Sequence, residues 1–158
     1  MPQKVIKLLE NAEQANLNDP FRKGNIIKLP PEGKLVLSGD IHGNQRNFDR
    51  IIKFADLENN PNTHLILQEI IHGGSQDNQG GCLSYQLLFR AAELKLKFPE
   101  RFHFLMGNHD VAFLTGKEVI KEGREMNEAL LIAIDSRYEQ NSENIKEYLE
   151  KNLLTQPL

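Results

Sequence analysis

Two kinds of apolar pattern recur along this chain. Apolar positions three and four residues apart predict amphipathic helices, and short apolar runs bounded by turn residues predict strands. The predicted helices cover residues 3–16, 45–57, 83–98, 125–138 and 143–153. The predicted strands cover residues 25–29, 34–38, 64–71 and 102–106.

From residue 34 onward the order is strand, helix, strand, helix, strand and then helices. Such alternation implies right-handed crossovers and a parallel sheet, so the predicted fold class is α/β. The carboxyl ends of parallel strands lie at one edge, where open α/β sheets bind their ligands. We therefore expect the polar residues that follow the three strands to lie together.

Asp40 and His42 follow the first of these strands, between Gly39 and Gly43. In a tight turn, two residues at this spacing direct their side chains into one pocket. A carboxylate beside an imidazole suits Mn, Fe or Zn better than Ca. The alternative is a solvated turn, because Gly-Asp is a common turn pair.

Asn108 and His109 follow Gly107 after the third strand. An asparagine oxygen is a neutral ligand that contributes when charged ligands share the metal. The alternative is a strand-to-helix turn in which Asn108 caps the following helix. Taken alone, Asn108 and His109 favour this strand-to-helix turn over a metal site.

Glu69 lies within the apolar run 64–71, near the end of the second strand. A carboxylate there is costly unless it is paired, protonated or bound to metal. Its alternatives are an outward-facing position on an edge strand or a salt bridge. Because a carboxylate has two oxygens, Glu69 is able to bridge two cations.

The composition of the chain limits the classes of binding partner that we expect. The 158 residues carry a net charge of -3, with a sequence pI near 6.0. Nucleic-acid and anionic-membrane binders rely on excess Lys and Arg, so we expect neither partner. One cysteine, Cys82, excludes an internal disulfide and is compatible with a reducing compartment, and we expect a cytoplasmic protein. The length suits one domain, residues 1–158.

The two polar segments together resemble a known family. Segments 39–43, Gly-Asp-Ile-His-Gly, and 107–110, Gly-Asn-His-Asp, resemble the first and third motifs of calcineurin-like metallophosphoesterases, particularly the protein serine/threonine phosphatase branch. The family's middle motif, Gly-Asp-x-x-Asp-Arg-Gly, aligns with 68–74, which reads Gln-Glu-Ile-Ile-His-Gly-Gly. This form of the middle motif resembles that of a bacterial subgroup of these phosphoesterases. The resemblance covers roughly residues 34–116.

The resemblance implies roles by position. Asp40, His42, Glu69 and Asn108 would bind metal, and His109 would be the catalytic acid that protonates the leaving alkoxide. The implied cofactors are two divalent metal ions, Mn, Fe or Zn, which activate water for in-line attack. The implied partner is a phosphorylated substrate, a phosphomonoester that includes phosphoprotein among the candidates.

The chain departs from the family pattern in the middle motif. Glu69 replaces the bridging Asp and is one methylene longer. His72 stands where the family has the Asp that orients the acid His, and Gly73 stands where it has a phosphate-binding Arg. We keep His72 and Asp110 as candidates for supporting the metal ligands or contacting phosphate.

A further departure lies after the third motif. The family supplies two more metal-ligand His residues there, whereas no His follows His109. Segment 153–158 resembles the segment that precedes the next core strand in relatives. We therefore expect the parallel-sheet half of a metallophosphoesterase-like α/β sandwich, a truncated single domain whose C-terminal half is missing, with little or no phosphatase activity.

Two other function classes remain open. A catalytically silent domain that binds a metal or partner is favoured by the absent His ligands and by Gly73. A nucleotide-binding α/β domain is disfavoured, because no glycine-rich phosphate loop follows the first long strand.

Overall fold

The computed structural model describes residues 1–121 and 123–157. The α-helices of this part are α1 (Pro2–Leu17), α2 (Gln45–Ala55), α3 (Tyr85–Lys97), α4 (Asn108–Thr115), α5 (Met126–Tyr138) and α6 (Ser142–Leu154). Its strands are β1 (Arg22–Lys23), β2 (Ile26–Ile27), β3 (Lys34–Asp40), β4 (Thr63–Gln68), β5 (Phe102–Leu105), β6 (Ile120–Lys121) and β7 (Arg124–Glu125). None of these helices is long and apolar enough to cross a membrane.

A three-stranded parallel sheet of order β3-β4-β5 lies at the centre. Helix α2 connects β3 to β4, and α3 connects β4 to β5. This arrangement confirms the predicted α/β fold class, and it brings the carboxyl ends of all three strands to one edge.

The core is built on alternate residues of these strands. Leu65 and Leu67 of β4 are fully buried, and Phe102 and Phe104 of β5 are nearly so. Helix α1 packs against both α3 and α6, and α5 packs against α6. The side chains of Leu35 and Leu37 lie on the opposite face of β3, where about half of each stays exposed.

The five predicted helices are confirmed within a few residues at their ends, and the strands predicted at 34–38 and 102–106 are confirmed. The strand predicted over 64–71 was too long, because β4 ends at Gln68. Glu69 therefore lies just beyond the strand rather than inside it, and its positive φ of 46° turns the chain out of the sheet.

Other local predictions need correction. The strand predicted over 25–29 is reduced to the two residues of β2, which pair with β1 in a short hairpin. Helix α4 was anticipated only in the strand-to-helix alternative for Asn108, without bounds, because its eight residues are too few to display a clear period. His64 and His103 are both buried near the amino ends of β4 and β5.

Candidate metal centre

The centre lies where the chain leaves the sheet after β3 and β4, in the first and middle motifs. The register between β3 and β4 shifts between Leu37 and Asp40, near the end of β3. Just beyond the strands, the carbonyl of Glu69 accepts hydrogen bonds from the N–H groups of Ile41 (2.9 Å) and His42 (3.0 Å). His42, Glu69 and His72 all have positive φ, at 45°, 46° and 68°. Non-glycine residues adopt this conformation at a cost, and such strain concentrates at functional sites.

Glycines allow the first and middle motifs to touch backbone to backbone. A Cβ at Gly43 would lie 2.1 Å from the carbonyl oxygen of Gly73, and a Cβ at Gly74 would lie 2.0 Å from that of Gly43. Any side chain at these positions would separate the two loops. The glycines therefore fix the distance between His42 and the middle motif.

Cys82 and Ser84 anchor the other side of the middle motif. The hydroxyl of Ser84 accepts a hydrogen bond from the N–H of His72 at 3.1 Å, and the Cys82 thiol donates to the carbonyl of Gly73 at 3.3 Å. The sequence analysis missed this role, because neither residue belongs to a motif. Both side chains are buried.

Three side chains converge at the edge of the sheet. His109 Nδ1 lies 2.6 Å from Glu69 Oε1, and His42 Nε2 lies 3.6 Å from the same oxygen. The two imidazoles are 3.4 Å apart between their Nδ1 atoms. One ligand atom from each of the three residues lies within 4.8 Å of the others.

These residues fit a divalent metal ion. Glu69 is 1% exposed, and its Oε1 has no hydrogen-bond partner despite the nearby imidazoles, because their approach does not satisfy hydrogen-bond geometry. A buried carboxylate oxygen without a donor calls for a cation. His42 and Glu69 offer a nitrogen and an oxygen donor that suit Zn, Fe or Mn, and His109 lies close enough either to join them or to serve as a proton donor beside the metal.

The other predicted ligands lie at the rim of this cluster. Asp40 ends β3, has a side chain that is 45% exposed, and places Oδ2 3.7 Å from His42 Nε2. Asn108 is the first residue of α4 and is also exposed, while Gly107 occupies the N-cap position considered for Asn108. The structure thus gathers His42, Glu69 and His109 tightly, with Asp40 beside them and Asn108 at the same edge.

His72 and Asp110 lie beneath the cluster. His72 is fully buried, both of its ring nitrogens lack hydrogen-bond partners, and burial lowers its pKa to about 4. Its ring lies 6.0 Å from that of His109. Neutral His72 therefore adds no positive charge to the centre at neutral pH.

Asp110 closes the first turn of α4. Its Oδ2 accepts a hydrogen bond from the N–H of Gly107 at 2.8 Å, and its Oδ1 is buried without a partner. Burial raises the pKa of Asp110 to about 7, and the nearby charge of Glu69 adds to the rise. Its direct contact is with the backbone of the third motif.

The comparison with protein families decides the identification. Residues 33–154 match the model of calcineurin-like phosphoesterases. The chain belongs to this family. Membership in a metallophosphoesterase family implies divalent metal, and this calcineurin-like phosphoesterase places its candidate ligands in the segments that carry the motif resemblance.

A solved structure is similar in fold. It is a protein serine/threonine phosphatase from Saccharomyces cerevisiae, described as similar to human phosphatase PP5. The TM-score is 0.60 at 15% sequence identity, and the match covers 100% of this chain and 44% of that chain. The phosphoesterase chain thus spans less than half the length of that phosphatase, and the likeness at this identity is one of fold.

Proposed function

We propose that this protein is a metal-dependent phosphoesterase that hydrolyses a phosphomonoester, with phosphoprotein among the candidate substrates. The observation that carries the proposal is the convergence of His42, Glu69 and His109 at the carboxyl edge of the sheet. Family membership supports the reaction class. The chain would act as one domain, in the cytoplasm.

The ligand roles follow from position and chemistry. Asp40, His42 and Glu69 would hold one metal ion, and Glu69 with Asn108 would contribute to a second. When bound, such cations, Mn, Fe or Zn, supply Lewis acidity to the phosphoryl group and to the attacking water. Glu69 also brings a negative charge that compensates for the burial of a cation.

His109 would act as the general acid. Its ring is half-buried, and its Nδ1 lies 2.6 Å from Glu69 Oε1. A leaving alkoxide needs a proton, and an imidazole at the rim is able to donate one. Asp110 supports this position by holding the first turn of α4 through the Gly107 N–H.

The test is hydrolysis of 4-nitrophenyl phosphate by the 158-residue chain with Mn²⁺. We expect at most slow turnover, and any turnover should require the metal and be lost in His42→Ala. Turnover that survives removal of Mn²⁺ by dialysis, or that survives His42→Ala, would contradict the proposal. The surface variant Arg137→Ala is the control for handling and purity.

The second candidate function is a silent metal- or partner-binding domain. It is favoured by Gly73, which offers no guanidinium to a phosphoryl group, and by the close grouping of ligands for one cation only among the described residues. Stoichiometric Mn²⁺ binding without any turnover in the same assay would support this function instead.

A further inference from the structure

An open groove of about 960 Å³ runs from the candidate metal centre along the first turns of α2. His42, Gly74 and Ser75 line the end that opens beside the centre, and Arg46, Asp49 and Arg50 line the helical side. The groove therefore connects a residue of the metal cluster to two guanidinium groups. Any substrate bound at the centre has this channel beside it.

The groove is electropositive because its acid is already paired. Arg90 Nη2 donates to Asp49 Oδ1 at 2.6 Å, which neutralises Asp49. Arg46 and Arg50 are exposed, and neither takes part in the ion pairs or side-chain hydrogen bonds found within residues 1–121 and 123–157. Two free cations and one neutralised acid leave a net positive wall.

Arg46 and Arg50 are spaced so that they are able to contact successive anionic groups along the groove. Four residues of helix place them on one face, about 6 Å apart along the axis. Both lie in the first two turns of α2, where the helix dipole adds to the attraction for anions. Guanidinium groups recognise phosphate oxygens with paired hydrogen bonds.

We propose that Arg46 and Arg50 form an anion subsite that holds a second phosphate group, linked to the phosphoryl group that lies at the metal centre. The proposal rests on the proposed metal-dependent hydrolysis and changes its substrate from a simple phosphomonoester to a compound with consecutive phosphates, whose terminal phosphoryl group is part of a phosphoanhydride. The scissile phosphoryl group occupies the metal centre. Arg46 and Arg50, in the first and second turns of α2, are then able to bind the phosphates attached to it. Gly73 stands where the family has a phosphate-binding Arg, so the middle motif supplies no guanidinium. Arg46 and Arg50 are the arginines that line the groove.

The experiment is calorimetric titration of the metal-free 158-residue protein with tripolyphosphate and, separately, with orthophosphate. We expect tripolyphosphate to bind more tightly, and we expect Arg46→Ala and Arg50→Ala each to weaken it by about three- to tenfold, as for a partly exposed charged contact. The double variant should weaken it further. Arg137→Ala, an exposed arginine on α5 outside the groove, should bind like the unmodified protein.

Two outcomes would overturn the subsite. Affinity for tripolyphosphate that is unchanged in the double variant would show that the arginines do not hold it. An acidic peptide without phosphate that competes as well as tripolyphosphate would show that the groove takes peptide carboxylates instead. Circular dichroism of each variant confirms that it is folded.

The titration separates this proposal from the proposed function. It uses no metal and no turnover, so loss of the arginine effect leaves Mn²⁺-dependent hydrolysis of 4-nitrophenyl phosphate standing. Conversely, tripolyphosphate binding that depends on the arginines stands even if no hydrolysis occurs.

Discussion

Gly107 makes room for the carboxylate of Glu69. A Cβ at Gly107 would lie 1.6 Å from Glu69 Oε2 and 2.6 Å from Glu69 Cβ. The φ of Gly107 is -100°, which any residue adopts, so the requirement for glycine here is steric. The third motif therefore begins with glycine because the Glu69 side chain, from its Cβ outward, occupies the adjacent space.

We expect Gly107→Ala to displace Glu69 and weaken metal binding. The clash with a buried side chain should also destabilise the fold by about 1–3 kcal/mol. Metal titration and urea unfolding measure the two effects. The matched control is Gly39→Ala at the end of β3, where a Cβ meets nothing within 4 Å and φ is not positive. Equal effects of the two substitutions would contradict the steric role of Gly107.

We expect the 158-residue chain to bind one Mn²⁺ or Zn²⁺ ion well. In the proposed assignment Asp40, His42 and Glu69 would provide three ligands for one ion, whereas a second ion would have only Glu69 and Asn108. Calorimetric titration should give a stoichiometry near one. Glu69→Gln, which keeps the shape and removes the charge, should weaken binding by at least about 100-fold. Two tight sites per chain would show that the second set of ligands is complete.

We expect His109→Ala to retain metal and lose acid catalysis. Loss of a general acid typically slows reaction by about 10²–10⁴-fold when the leaving group needs a proton. Hydrolysis of an alkyl phosphate should therefore fall much more than that of 4-nitrophenyl phosphate, whose leaving group scarcely needs protonation. If metal affinity falls as much in His109→Ala as in His42→Ala, His109 is a ligand rather than the acid.

A buried ion pair anchors the end of α1 to α3, far from the metal centre. Lys95 Nζ lies 2.6 Å from Asp19 Oδ2, and both side chains are buried. We expect Lys95→Met to destabilise the protein by about 3–5 kcal/mol, because it leaves the Asp19 carboxylate buried without a cation. Lys97→Met on the same helix, which breaks an exposed pair with Glu58, should cost less than about 1 kcal/mol. Urea unfolding compares the two variants, and similar losses would contradict this account.

The same pocket should make stability depend on pH. Burial, with the charge of Lys95 adding to it, lowers the pKa of His103 to about 4. The unfolded chain takes up this proton near pH 6.5 and the folded chain only near 4, so folding stability falls as pH drops through that window. The slope is about 1.4 kcal/mol per pH unit for each proton.

His103→Asn tests this dependence. The asparagine amide is able to replace the contact of Nδ1 with Asp19, which is 3.4 Å in the structure, and it does not titrate. Urea unfolding at pH 7, 6 and 5 should give a shallower decline for the variant. An identical decline in both proteins would mean that other groups carry the effect.

Much of the fold was predictable because the apolar residues of its longer helices and strands are regularly spaced. Helices α1, α2 and α3 show apolar residues at helical spacing, and β3 and β5 are short apolar runs. The bounds of helix α4, strand β1 and the β6-β7 hairpin were missed, because two to eight residues are too few to display a period. The end of β4 was missed because Ile70 and Ile71 extend the apolar run after the backbone has turned.

The sequence by itself determined the α/β order and the three segments whose polar residues follow the strands. Those features are local, because strand runs and glycine turns depend on neighbouring residues. Only the tertiary structure decided that His109 reaches within 2.6 Å of Glu69, that His72 is buried without a partner, and that Arg46 and Arg50 share a groove with His42. The first of these joins residues 109 − 69 = 40 positions apart, the second depends on burial, and the third depends on the folded course of the loop before α2. All three are set by packing of the whole chain.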